Sequence, residues 1–389
     1  MRKPGKKNIQ WLYIPLLLIA STFFAGCSQT EPVAERTGNQ TVLSENTLNL
    51  EQKELLDQIS YSGIHLSSQQ RYQLAVETLR VAGELTDKIS ENSDLTLQEA
   101  VRYLASQKYA VTDQENRCNL ENPEAAGAFC GKLIKGEKAQ TTLYRINEDK
   151  TLVRLDLESK MNQLTVTRTA TAWKETGGQW VSAIEKYTAK SFAYTEKGYL
   201  LFQKDQPDGY DGPDGCDAIR ILPLSDELRA YCREMIAPVG YHCRNLFLID
   251  WDRQNLDQIQ FADLFPVLYE MEYGYRPDSL LWNRLSDQDV ENLIQNYLPV
   301  SQEQIKKLVP HEEGHYIWKK PDQMERIPGI VPFPEVTRAV ENTDGTLTLT
   351  VDAVWPQKET DKAFTHETTV RITDGGFQYM GNRIVDTEE

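Results

Sequence analysis

Thr151-Leu-Val-Arg-Leu-Asp-Leu-Glu158 alternates with a period of two, setting Val153, Leu155 and Leu157 on one side and Arg154, Asp156 and Glu158 on the other. Successive side chains of an extended backbone point to opposite faces, so this pattern predicts a half-buried strand. Further strands are expected at Leu164 to Trp173 and Trp180 to Tyr187, joined by the turn Thr176-Gly177-Gly178-Gln179. Together they predict an antiparallel meander with one wet face.

Toward the N-terminus the period becomes helical, from Leu48 to about Ala110. Thr96-Leu-Gln-Glu99 is a capping box, after which Leu97, Ala100, Val101 and Leu104 share a face. Toward the C-terminus, Gly198 to Asp252 predicts short strands at Tyr199 to Gln203, Ala218 to Leu222 and Leu246 to Trp251. Between them come a Gly/Asp/Pro loop, a helix at Ser225 to Met235 and a turn at Pro238-Val-Gly-Tyr241. Ser286 then caps a helix with Val290, Leu293, Ile294, Tyr297 and Leu298 on one face. Strands follow at Tyr316 to Lys319, Val336 to Glu341, Thr346 to Trp355, Thr365 to Thr373 and Phe377 to Val385, with turns at Asn342-Thr-Asp-Gly345 and Asp374-Gly375-Gly376.

Three landmarks recur in order: capped helices at Thr96 and Ser286, Asp-x-Thr-Leu at Asp149 and Asp344, and Gly hairpins at Gly177 and Gly375. They lie 190, 195 and 198 residues apart, which suggests a duplication. The expected class is therefore α+β, two helix-plus-antiparallel-meander modules resembling the cone-shaped NTF2-like or cystatin-like architecture. Such cones often enclose a pocket between sheet and helix, and the likeness transfers no function. The expected organisation is 1–26 leader, 27–47 tether, 48–197 first module, 198–260 Tyr/Gly/Asp-rich middle segment and 261–389 second module.

The leader carries Arg2, Lys3, Lys6 and Lys7, an apolar run from Trp11 to Ala25, and then Gly26-Cys27. It looks like a bacterial lipoprotein signal peptide, with Phe24 where Leu is usual, and its run is short for a spanning helix. A diacylglyceryl group on Cys27 would supply the two acyl chains that stable anchoring needs. Ser28 to Thr47 reads as a coil-like tether with a reach on the order of 25 Å. From Cys27 onward the chain holds 38 basic and 58 acidic residues, a net charge of −20. That charge argues against a nucleic-acid partner and against attraction to anionic lipid, so membrane attachment would come from the lipid anchor.

The run Glu335-Val-Thr-Arg-Ala-Val-Glu-Asn-Thr-Asp-Gly-Thr-Leu-Thr-Leu-Thr-Val-Asp-Ala-Val354, with Ala363-Phe-Thr-His366, Phe377-Gln-Tyr-Met380, Pro207-Asp-Gly-Tyr-Asp-Gly-Pro213 and Pro238-Val-Gly-Tyr241, resembles an uncharacterised family of Gram-positive, clostridial-type surface lipoproteins. The likeness covers most of 190–389. It implies a surface location and no known activity, and it carries over no site.

Cys118 and Cys130 bracket a turn-rich loop that a disulfide would stabilise by about 2 to 3 kcal/mol, and they are the expected pair; Cys216, Cys232 and Cys243 leave their pairing open. Asp208-Gly-Tyr-Asp211-Gly-Pro-Asp214-Gly-Cys-Asp217 spaces carboxylates through glycines as a calcium loop does, though without EF-hand spacing, and Asp-Gly is also a common turn. His311-Glu312-Glu313-Gly314-His315 matches the zinc-peptidase pattern H-E-x-x-H, which requires a helix to bring both imidazoles together. Pro310 and Gly314 argue instead for a polar turn. Tyr199, Tyr210, Tyr241, Trp251, Tyr269, Tyr273 and Tyr275 supply either a binding face or core packing. The expected function is a lipid-anchored extracytoplasmic protein acting as a non-catalytic binding or envelope-interaction module; the alternative is a zinc-dependent surface hydrolase using His311, Glu312 and His315.

Overall fold

The computed structural model describes residues 48–207, 215–241, 245–276, 285–312, 315–316 and 332–387, so the leader, Cys27 and the tether lie outside the described residues. The chain is α+β, as its alternating and helical periods predict. Its larger sheet runs in the order β2 (Val111–Asp113), β3 (Ala139–Ile146), β4 (Leu152–Lys160), β5 (Gln163–Trp173), β6 (Gln179–Tyr194), β7 (Tyr199–Lys204), β8 (Cys216–Arg220), and curls into a half-barrel. Neighbours from β3 to β8 are antiparallel; β2 pairs parallel with β3, and β1 (Ser60–Gly63) parallel with β6.

Helices cover both faces of this sheet, so the face predicted to be wet is roofed instead. Val153, Leu155 and Leu157 pack with Phe129, Cys130 and Leu133 of α4 (Glu124–Leu133) and with Leu200, Phe202 and Ile219 of β7 and β8. The opposite face, carrying Tyr144, Ile146, Leu152 and Arg154, lies under α2 (Ser68–Glu91) and α3 (Leu97–Ser106); α1 (Leu50–Asp57) joins α2 over Val181 and Ile184. Capping boxes start these helices: Asn49 with Gln52, Ser67 with Gln70, and Thr96 with Glu99 as expected. Each satisfies N–H groups that a helix start leaves without partners.

The second sheet is a four-stranded meander, β11 (Phe333–Glu341), β12 (Thr346–Val354), β13 (Phe364–Thr373), β14 (Gly376–Thr387). Leu347, Leu349, Val351 and Ala353 pack into one large core with α6 (Phe261–Tyr273), α7 (Asp287–Tyr297, capped by Ser286 as expected) and α8 (Gln302–Leu308). The middle segment divides between the two layers. Strands β7 and β8 extend the first sheet, whereas α5 (Asp226–Tyr231), its π-helical continuation Cys232–Ile236 and the residues after them pack on the second. Leu246 to Trp251 is a loop rather than a strand; Trp251 alone pairs, with Asn382.

The two meanders open on the same turn. Asn147 N–H donates to Thr151 O at 2.9 Å, and Asp149 accepts from Thr151 N–H and Oγ1 at 3.0 and 2.7 Å. Asn342 donates likewise to Thr346 O at 2.8 Å, and Asp344 accepts from Thr346 at 3.1 and 2.6 Å. The left-handed slot is Lys150 in one turn and Gly345 in the other, at φ 67° and 77°. Ile146 opposite Leu152 and Glu341 opposite Leu347 repeat the register at the same 195-residue offset. Asx-type side-chain bonding explains why Asp-x-Thr specifies the turn twice.

Residues 45–389 form one compact unit, and a buried ion network joins its two sheets. Glu335 of β11 accepts from Arg220 at 2.5 Å, from Arg229 at 3.4 Å and from the Tyr199 hydroxyl at 2.7 Å. Burial pushes the Glu335 carboxyl up, against the pull of the two guanidinium groups and that hydroxyl. Lys197 reaches across the same seam to Asp352 at 2.6 Å.

Candidate functional site

Where α2 crosses the polar face of the first sheet, its side chains do not close down on the strands. A cleft of about 570 Å³ remains, with Leu66, Gln70, Gln73, Leu74 and Glu77 on the helix side and Thr142, Arg154, Asp156, Thr167 and Lys186 on the sheet. Alternation puts Arg154 and Asp156 there: their neighbours Val153, Leu155 and Leu157 take the aliphatic face, so the charged members must face α2. Arg154 donates from Nε to both Asp156 oxygens at 3.1 and 2.8 Å and from Nη1 to Glu77. Burial disfavours its charge, but Asp156 and Glu77 more than offset that and hold the guanidinium firmly protonated. Thr142 donates to Asp156 at 2.6 Å, and Lys186 stands 3.8 Å from Glu158. Gln140, Thr141, Leu157, Glu158 and Ala125 complete the wall; Thr141 stands opposite Leu157 and shares its aliphatic face, where its buried Oγ1 has no hydrogen-bond partner.

The sequence motifs fall elsewhere. His311–Glu312 (β9) and His315–Tyr316 (β10) are two short antiparallel strands with Glu312 opposite His315, so the two histidines lie on paired strands and not on the helix that H-E-x-x-H requires. His311 Nε2 lies 2.7 Å from Asp287, and its ring meets Tyr316 edge-on. Asp208, Asp211 and Asp214 lie outside the described residues; Asp217 is on β8, bonded to the buried Arg145. Among the described residues no group of three or more His, Cys, Asp or Glu side chains converges as a metal site.

The expected Cys118–Cys130 bridge is not formed: both are thiols, and they sit in different parts of the core. The reason is local. The supposed loop between them is largely helix α4, whose inward face buries Cys130, while Asp113 accepts the Cys118 N–H at 2.7 Å and tethers that residue beside β2. Burial raises both thiols to about 12, with Asp113 adding to the effect at Cys118. Of the aromatic residues, Tyr199, Tyr241, Trp251 and Tyr269 are core, Tyr273 and Tyr275 are exposed, and Tyr210 lies outside the described residues.

Nothing in the sequence reading singled out the cleft residues as a site, although Arg-x-Asp on the polar face of Thr151 to Glu158 was visible. Its meaning depends on α2, which is remote in the chain.

No curated protein and no solved structure is detectably similar to the chain. A family model described as a family of unknown function, DUF6070, matches residues 67–389, the span from the α2 cap through both sheets, and the chain belongs to that family.

Proposed function

We propose that this chain is a non-catalytic binding protein of the Gram-positive surface-lipoprotein kind, held at the extracytoplasmic face of the membrane by a lipid on Cys27, with the cleft under α2 as its ligand site. The leader supports the address. The observation that carries the binding reading is the cleft's charge arrangement: Arg154 is engaged by Asp156 and Glu77, so the cations and carboxylates satisfy one another. What the wall offers a ligand is amide and hydroxyl chemistry, from Gln73, Gln140 and Thr167. A neutral, hydroxyl- and amide-rich molecule fits that wall, the chemistry of an N-acetylated sugar.

A chain beginning at Ser28 keeps the whole compact unit and is the material for the test. Titration with N-acetylated oligosaccharides by saturation-transfer NMR is expected to show saturable binding that Gln73→Ala with Gln140→Ala abolishes. Absence of binding, or binding indifferent to the double substitution, overturns the assignment. For the anchor, a fatty-acid analogue is expected to label the full chain and not its Cys27→Ser form.

A further inference from the structure

A second cavity, of about 330 Å³, opens where α3, the β2–α4 connection and α5 meet. Its wall carries four arginines, Arg102, Arg117, Arg229 and Arg233, with the amides of Gln98 and Asn119. In a chain of net charge −20 from Cys27 onward, four guanidinium groups around one small cavity are a local reversal of sign.

Two carboxylates, Glu121 and Asp226, also line it, and the pairing of the outer arginines is loose. Arg102 stands 4.0 Å from Asp226, Arg117 3.6 Å from Glu148 outside the cavity, and Arg233 3.3 Å from Glu234, its own neighbour. Exposed pairs at such distances hold one another weakly and give way to a better acceptor. Arg229 is different. It is 5% exposed, and it is fixed by Asn119 Oδ1 at 2.9 Å on Nε and by Asn116 O at 2.9 Å and Glu335 at 3.4 Å on Nη1. Its Nη2 is buried with no partner. Arg229 thus lines the cavity with one donor still unmet, and its planar fork, held rigid in advance, matches an oxyanion.

We infer that this cavity is an oxyanion site that takes a phosphate group, with Arg229 as its fixed floor and Arg102, Arg117 and Arg233 as arms that close on the ligand. The site is independent of the cleft under α2: it shares none of its lining residues, and it lies where the first sheet's helices meet α5 of the second layer. Two sources present this chemistry, free phosphate and the head group of an anionic lipid. The tether from Cys27 would keep the cavity within reach of a membrane surface.

The test uses the chain beginning at Ser28. Inorganic phosphate and pyrophosphate, titrated at constant ionic strength with chloride as the reference anion, are expected to raise the thermal midpoint saturably, pyrophosphate at lower concentration. Arg102→Ala with Arg233→Ala, the first side chain exposed and the second half-buried, is expected to weaken this binding at least tenfold while leaving the midpoint without phosphate unchanged. A phosphate response equal to that of chloride, or one that survives the double substitution, overturns the inference. Flotation with phosphatidylcholine vesicles, with and without phosphatidylglycerol, identifies the source. Binding to the anionic vesicles that phosphate competes away assigns the head group, and a phosphate response without vesicle binding assigns free phosphate.

Discussion

Asp156 on β4 lies in its ladder between Thr142 and Thr167; the residue 195 places on, Val351 of β12, lies between Val336 and His366. Two residues earlier on the same face, Arg154 sits between Tyr144 and Thr169, and Leu349 between Ala339 and Thr368. The scaffold is the same and the filling is opposite. Val336, Leu349 and Val351 are fully buried under the helices of the second layer, whereas Arg154 and Asp156 keep α2 off the first sheet and leave the cleft. A helix settles on aliphatic side chains because burying them is favourable at about 25 cal/mol per Å². It cannot settle on an ion pair without a desolvation cost of several kcal/mol per ion. Two charged residues at repeated positions thus separate a packed module from a hollow one.

The largest test of the comparison is whether either copy stands alone. Glu335→Ala leaves Arg220 and Arg229 facing each other at the seam and is expected to cost about 3 to 5 kcal/mol, read from urea unfolding. If the copies are independent, tryptophan fluorescence and far-ultraviolet dichroism will give separate transitions in the variant. One shifted, coincident transition means that the seam makes them a single cooperative unit.

The second test separates the copies by pH. His366 is buried, with Nε2 3.0 Å from the Tyr241 hydroxyl, Nδ1 2.7 Å from Asn382 Oδ1, and its ring stacked on Phe247. Burial lowers it to about 4, the hydrogen bond that it donates to Asn382 Oδ1 opposing. Its folded value lies below the ordinary 6.5, so the unfolded chain binds the proton more readily between the two. The resulting stability is complete above 6.5 and disappears as pH falls toward 4, a loss of about 3 kcal/mol. Thr167, the matching residue of the first sheet, does not titrate. Substituting His366→Gln should flatten the pH dependence over that window, and an unchanged slope would assign the loss to other groups.

Third, Arg154→Leu with Asp156→Val rewrites the hollow copy with the side chains of the packed one. Replacing a buried ion pair by aliphatic residues is expected to be neutral or stabilising by about 1 to 3 kcal/mol, and to abolish ligand binding in the cleft. Thermal denaturation checks the first and NMR titration the second. Marked destabilisation would show that α2 needs the Arg154–Glu77 bond to stay in place.

How much of this was legible follows the range of the forces involved. Strict alternation marked β4 and β12, and the capping boxes at Thr96 and Ser286 placed α3 and α7, because those signals act within a few residues. Helix α4 was hidden by Pro123 and two glycines, which read as loop until Ala126, Phe129, Cys130 and Leu133 are seen against the sheet. Strand β3 was missed, and α6 contains Pro266, a local breaker that the surrounding core overrides. The sites were less legible still. The cleft needs Glu77 and Arg154 together, 77 residues apart, and the arginine cavity draws on residues from Gln98 to Arg233. The motifs that sequence alone does display, H-E-x-x-H above all, depend on a secondary structure that their own neighbours do not support.

The smallest effect tests the duplication itself. Lys150 and Gly345 occupy the same left-handed slot of the same hydrogen-bonded turn, and a Cβ built on Gly345 meets nothing within 4 Å, so only backbone conformation distinguishes them. An L-residue in that region costs roughly 1 to 2 kcal/mol, whereas glycine loses about 0.4 to 1 kcal/mol more than other residues in ordering the chain. The two terms nearly offset. Gly345→Lys is therefore expected to cost about 1 kcal/mol or less, and Lys150→Gly to gain a similar amount, with both shifts readable in the urea midpoint at constant slope. If the turns are true copies, the two changes should be equal in size and opposite in sign. If instead Lys150→Gly destabilises, the lysine contributes something at its turn that the second copy does without.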